Sequence, residues 1–103
     1  MTEQTSSTYR FGEKVVLKNV DFLRYELEPL CTAPDIHRII FDLENCKVCD
    51  SYGVQFFLEC RRKAELHNKE LLLYRPGILL RAILKHSGIS HVFTIVDTLE
   101  SEE

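Results

Sequence analysis

Hydrophobic residues change their spacing several times along these 103 residues, and each change marks an element. Ser7-Thr8-Tyr9-Arg10-Phe11 alternates polar and apolar, the period of a half-buried strand. Gly12-Glu13 follows, and glycine at the first central position suits a type II′ turn. Lys14-Val15-Val16-Leu17-Lys18 is therefore expected to return as an antiparallel partner, Val15 and Leu17 continuing the alternation of Tyr9 and Phe11. Helical spacing begins behind Asn19, a good N-cap, with Val20, Leu23, Leu27 and Leu30 on one face and Asp21 complementing the helix dipole. Pro29 and then Thr32-Ala33-Pro34-Asp35 close that helix.

Arg38-Ile39-Ile40-Phe41-Asp42-Leu43 is short, β-branched and almost continuously apolar, which predicts a central strand covered on both faces. From Asp50-Ser51 a second helical stripe runs through Val54, Phe57, Leu58, Arg61, Ala64 and Glu65, and His67-Asn68-Lys69 stops it with Asn68 as C-terminal cap. Glu70-Leu71-Leu72-Leu73-Tyr74 predicts another buried strand, broken by Arg75-Pro76-Gly77. Leu79, Leu80, Ile83 and Leu84 give a third helix ending at Ser87-Gly88, and Val92–Val96 a last strand.

The order β-β-α-β-α-β-α-β predicts an α/β domain over residues 7–97, with a flexible 1–6 segment before it and an acidic tail, 98–103, after it. Strands alternating with helices imply parallel pairing through right-handed crossovers. The opening hairpin would add an antiparallel edge and make the sheet a mixed one, covered by helices.

Composition narrows the function classes. With 45% hydrophobic residues the chain can bury a real core, and its net charge of -3 is mild, with bases and acids interspersed. Phosphate neutralisation needs a concentrated basic face, so nucleic acid is not an expected partner. No window approaches the roughly 20 apolar residues of a membrane span, so no membrane insertion is expected. Met1 to Thr8 is polar and lacks the apolar centre of a secretory signal. A cytoplasmic location follows as the expectation, with the four cysteines kept as thiols.

The chemistry concentrates where the central strand hands over to the second helix. Asp50 and Ser51 stand at a helix N-terminus, near unpaired backbone N–H groups and the positive end of the dipole. Either residue serves as an ordinary cap. A phosphate on Ser51 would be tolerated by its own helix and would add about -2 charges at that surface. Cys46-Lys47-Val48-Cys49 offers a rival: a C-x-x-C for thiol redox or zinc, with Cys31, Cys60 and His37 as conceivable further ligands. Yet the helix begins after the second cysteine and no second tight pair exists, so small buried thiols explain them better. His37, His67, His86 and His91 are scattered, and Arg61-Arg62-Lys63 reads as a solvated helix face. Asp42, at a strand end, suits capping or ordering the link to Asp50.

The run IIFDLENCKVCDSYGVQFFL resembles the core of the STAS domain, the anti-sigma factor antagonist family: apolar strand, Asp-Leu, short link, then Asp-Ser-x-Gly opening a helix. The likeness continues in KELLLYRPGILLRAILKHSGISHVFTIV, which is similar to the family's strand, helix, Ser-Gly break and terminal strand. Upstream, Gly12-Glu13-Lys14-Val15 lacks the Asp of the family's Gly-Glu-Leu-Asp, and the family's final helix is cut short.

The resemblance implies a binding module, not an enzyme, with no cofactor. Ser51 would be phosphorylated by a partner serine kinase that doubles as the anti-sigma factor, and a phosphatase would reverse it. The unphosphorylated form would bind that kinase and free a sigma factor. Asp50 would help present the hydroxyl, Gly53 would allow close approach over the first turn, and Tyr52 would contact the partner or narrow kinase access. A homodimer is compatible with the pattern. The alternative within the same fold is an interaction module of a transporter, a lipid-trafficking complex or another signalling assembly.

Overall fold

The computed structural model describes residues 5–99. Its elements in chain order are β1 Ser6–Arg10, β2 Lys14–Val15, α1 Leu17–Thr32, β3 Arg38–Asp42, β4 Val48–Cys49, α2 Ser51–Leu66, β5 Glu70–Tyr74, α3 Ile78–His86 and β6 Thr94–Val96. A 3-10 turn, Ser90–Val92, precedes β6. The main sheet has the order β1-β3-β5-β6 and a smaller one pairs β2 with β4. The α/β class agrees with the expectation, and so does the element order apart from β4, a two-residue strand in the stretch expected to be a plain link between β3 and α2.

The antiparallel hairpin does not form: every strand pair among the described residues is parallel. The backbone of β1 is taken by β3, in register from Ser6↔Arg38 to Arg10↔Asp42. The Phe11 N–H extends that ladder to the Asp42 carbonyl at 3.0 Å. Glu13 turns its carbonyl to the amides of Lys47 and Val48, at 2.8 and 3.0 Å, so β2 runs beside β4 instead of folding back on β1. Val15 then enters the core, while Leu17 is 58% exposed, and the expected alternation breaks there.

Other boundaries shift for identifiable reasons. Asn19 is not the residue before α1 but lies in its first turn, where its Oδ1 accepts from the Val16 N–H at 2.9 Å and its Nδ2 donates to the Lys14 carbonyl at 2.8 Å. Pro29 sits inside α1, which runs on to Thr32. The last strand is shorter than expected because Ser90–Val92 winds into the 3-10 turn. Asn68 and Gly88 do end their helices in the left-handed region, at φ 59° and 74°. Of the expected flexible 1–6 segment, residues 1–4 lie outside the described residues, whereas Ser6 opens β1. Most of the acidic tail also lies outside them.

A sheet order that never doubles back, combined with right-handed crossovers, puts α1, α2 and α3 on one face. That face carries Ile39, Phe41, Leu71 and Leu73, all in one core cluster with Leu23, Leu27, Phe57, Leu80 and Leu84 from the helices. Phe11 sits at its centre, with ring centroids 4.9 Å from Phe41 and 5.7 Å from Phe57 in edge-on geometry. Ile40 and Leu72 point to the opposite face, in one row with Thr8 and Thr94. Rows containing the ion pairs Arg38–Glu70 and Arg10–Asp42 flank them. Among the described residues no helix packs on that face, so the helical cover expected for both faces of the central strands is met on one face only.

One buried charge fastens the back of the domain. Lys69 is 8% exposed, and its Nζ donates to the carbonyls of Ala33 and Ile36, which close the loop between α1 and β3. Replacing it with methionine keeps the stem and orphans those acceptors, which costs about 2–3 kcal/mol. Urea unfolding of Lys69→Met should show a lower midpoint with an unchanged slope.

Candidate functional site

In an all-parallel sheet the strand C-termini and helix N-termini gather at one end, where α/β folds place their sites. Asp50 and Ser51 lie there. The link from β3 to α2 is ordered first by Asp42, whose Oδ1 accepts from the Glu44 N–H at 3.1 Å while Oδ2 meets Arg10 at 3.3 Å. Its predicted ordering role agrees with this. β4 then runs alongside β2 and delivers Asp50 with extended backbone, as the N-cap of α2.

The Asp50 carboxylate holds two helices at once. Oδ1 accepts from the Gly53 N–H at 2.9 Å, capping α2, and Oδ2 accepts from the Leu17 N–H at 3.0 Å, the first residue of α1. The Leu17 hydrogen bond is the chief cause that holds this carboxyl below its ordinary value of 3.8, with the Gly53 bond adding to it. With both oxygens on backbone amides, Asp50 positions the helix end and does not bond to the Ser51 hydroxyl.

Gly53 explains how α2 comes so close. A Cβ there would stand 2.1 Å from the Val15 carbonyl oxygen and 2.7 Å from Cys49 Sγ. Gly53 is buried, so the close approach it permits is between α2 and β2 of the same chain. Ser51, by contrast, is exposed at the first helical position, and among the described residues its hydroxyl makes no hydrogen bond. Tyr52 is 51% exposed, and Leu17 and Val48, both beside Asp50, are 58% and 42% exposed. A shallow depression lined by Ser51, Tyr52, Gln55, Leu58, Ser87 and Ile89 adjoins them. Leu17 escapes a sequence reading because it looks like a strand residue facing inward, and Val48 because it lies inside the C-x-x-C link, where the cysteines draw the attention. The signal for Leu17 was the upstream Gly-Glu segment read as the family pattern instead of as a hairpin.

The cysteines separate into two pairs. Cys46 is buried, with its Sγ 3.9 Å from the Val48 carbonyl, and burial raises its pKa. Burial, then Cys46 and Asp50, pushes Cys49 up to about 12. Both are neutral thiols at the β2–β4 seam, poor candidates for a redox nucleophile. Cys31 and Cys60 meet elsewhere, between α1 and α2. Among the described residues no three His, Cys, Asp or Glu side chains gather in a metal-binding arrangement. The Arg61-Arg62-Lys63 run lies along α2, with Arg61 paired to Glu65 and Lys63 to Glu28. No helix among the described residues is long and apolar enough to cross a membrane.

Two substitutions test this geometry. Gly53→Ala should destabilise by about 2–3 kcal/mol, because the obstruction is a backbone carbonyl that cannot swing aside. Asp50→Asn keeps the shape but weakens both caps, at about 1–2 kcal/mol near neutral pH. Since the folded carboxyl titrates below 3.8, its stabilisation is complete above that value and fades as the pH falls through the lowered one. The stability difference between wild type and Asp50→Asn, followed by chemical unfolding across acid pH, should therefore shrink below 3.8.

Comparison with known proteins places this arrangement. The STAS domain family model matches residues 1–102. No curated protein matches the chain. Among solved structures, the anti-sigma factor antagonist SpoIIAA in its unphosphorylated form is similar at 18% identity and a TM-score of 0.71, covering 96% of this chain and 86% of that one. The Bacillus cell fate determinant SpoIIAA in the phosphorylated form is similar at 20% identity and 0.69, covering 94% and 87%. A sulfate transporter family protein from Wolinella succinogenes is similar at 17% identity and 0.80, covering 96% and 82%. At these identities the structures establish a shared fold. The family match across nearly the whole length goes further: the chain belongs to the STAS domain family, whose members are interaction and regulatory modules.

Proposed function

We propose that this chain is an anti-sigma factor antagonist whose partner binding is switched by phosphorylation of Ser51. The observation that carries the reading is the exposed, unbonded Ser51 hydroxyl at the first position of α2, on a helix end that Asp50 already holds in place. A kinase can reach that hydroxyl without unfolding anything. The phosphate would sit at the positive end of the α2 dipole, so the chain itself tolerates it. Around it Leu17, Val48 and Tyr52 offer apolar contact area, which is the kind of surface a partner covers. A dianion set among those residues beside the Asp50 carboxylate repels an acidic partner and keeps a close-packed one wet. The partner in this reading is a cytoplasmic anti-sigma factor that is itself a serine kinase, with a serine phosphatase resetting the switch. The likeness to a protein known in both phosphorylation states supports it.

A second reading has a specific observation behind it: the TM-score of 0.80 with a sulfate transporter family protein. There the same end of the domain docks on a transporter and phosphorylation is dispensable.

Incubation with a cognate serine kinase and ATP, followed by peptide mass spectrometry, distinguishes the two. The switch reading expects one phosphate, on Ser51, its loss in Ser51→Ala, and at least ~10-fold weaker partner binding by Ser51→Asp, a change of about 1.4 kcal/mol. Phosphate elsewhere, or Ser51→Asp binding as tightly as wild type, sinks the switch and leaves the docking module.

A further inference from the structure

Cys31 and Cys60 belong neither to the C-x-x-C segment nor to the Ser51 site. Cys31 lies near the C-terminus of α1 and Cys60 in the middle of α2, and both line one surface groove where these helices pack. They are 2% and 6% exposed. Two ion pairs cross the same groove, Arg24–Glu59 at 2.8 Å and Lys63–Glu28 at 2.7 Å. These pairs hold α1 and α2 in one alignment, with both thiols buried in the same seam beneath charged, solvent-reachable side chains.

We propose that Cys31 and Cys60 form a peroxide-responsive thiol pair that closes to a disulfide, latching α1 to α2. The environment assigns the roles. The neighbouring Cys60 thiol lowers the Cys31 pKa in spite of burial, and the positive charge of Lys63 and Lys69 adds to the effect against the opposing Glu28 carboxylate. The same contact, with burial, raises Cys60. Cys31 is therefore the nucleophile and Cys60 the resolving thiol. The Cys31 thiolate, having given its proton to water, attacks one oxygen of hydrogen peroxide. The O–O bond breaks, hydroxide leaves, and Cys31 becomes a sulfenic acid. The Cys60 sulfur then displaces the sulfenic hydroxyl, forming the S–S bond. Hydroxyl and the Cys60 proton depart as water. Two thiols are oxidised and one peroxide is reduced to two waters. Cys46 and Cys49, which burial holds as neutral thiols, serve as internal controls.

The test uses the full chain, reduced and then exposed to dilute hydrogen peroxide, with remaining thiols alkylated and the digest mapped without reductant. The expected result is one linked peptide pair joining Cys31 to Cys60, an intact mass lower by two hydrogens, and alkylated Cys46 and Cys49. The oxidised protein should melt several degrees higher, because the cross-link restricts the unfolded chain. In Cys60→Ser, the bridge is lost and dimedone traps a sulfenic acid on Cys31. Should that variant fail to fold, the wild-type peptide map decides alone. A Cys46–Cys49 bridge, a bridge between two molecules, or all four thiols alkylated overturns the proposal. So does a bridged form that melts no higher than the reduced one.

Discussion

One carboxylate sets the geometry on which the candidate functional end of this domain depends. Asp50 receives the first amide of α1 on one oxygen and an amide from the first turn of α2 on the other. Two helices whose N-termini would otherwise leave unpaired donors are thereby fixed to each other. The arrangement works only because β2 and β4 bring the two ends together, and because Gly53 lets α2 rest on the Val15 carbonyl. Each part requires the others. A side chain at position 53 would push α2 away from β2 and draw the carboxylate off the Leu17 amide.

This frame separates the residues that hold the helix ends from the residue left exposed for a signal in the proposed reading. The Asp50 carboxylate is engaged by backbone amides and Gly53 is buried, whereas Ser51 between them is exposed. A chemical change at Ser51 can therefore alter the surface without dismantling the caps. In the proposed switch, charge and desolvation at the partner surface would do the work, because a dianion among half-exposed apolar residues is costly to bury.

What could be read from the sequence is what repeats locally. Val20, Leu23 and Leu27 face the core at helical spacing, Ile39 to Phe41 and Leu71 to Leu73 form the central strands, and Asn68 and Gly88 end helices as their backbone freedom suggests. Asp50-Ser51 could be read for the same reason, since a cap followed by a helical stripe is a local pattern. The rest depends on contacts between distant residues. Lys14-Val15 and Val48-Cys49 are two-residue strands, too short to show any period, and they find each other through the Glu13 carbonyl. Gly12-Glu13 carried a real turn signal, but β3 offered β1 a longer ladder and a buried aromatic cluster, and that outweighed the local hairpin. Nothing in the neighbourhood of Asp50 announces a bond to an amide 33 positions earlier, nor does Lys69 announce that it reaches back to α1. The pairing of Cys31 with Cys60 is hidden in the same way.

The account's central claim is that Ser51 carries its signal on a frame that stays closed. Amide hydrogen exchange followed residue by residue by NMR, on the unmodified and Ser51-phosphorylated chain, tests it most directly. The Leu17 and Gly53 amides should remain protected to the same degree in both forms, with changes confined to the exposed surface around Ser51 and Tyr52. Loss of protection at Leu17 on phosphorylation would show that the phosphate displaces the Asp50 carboxylate and opens the junction of α1 and α2, which contradicts the account.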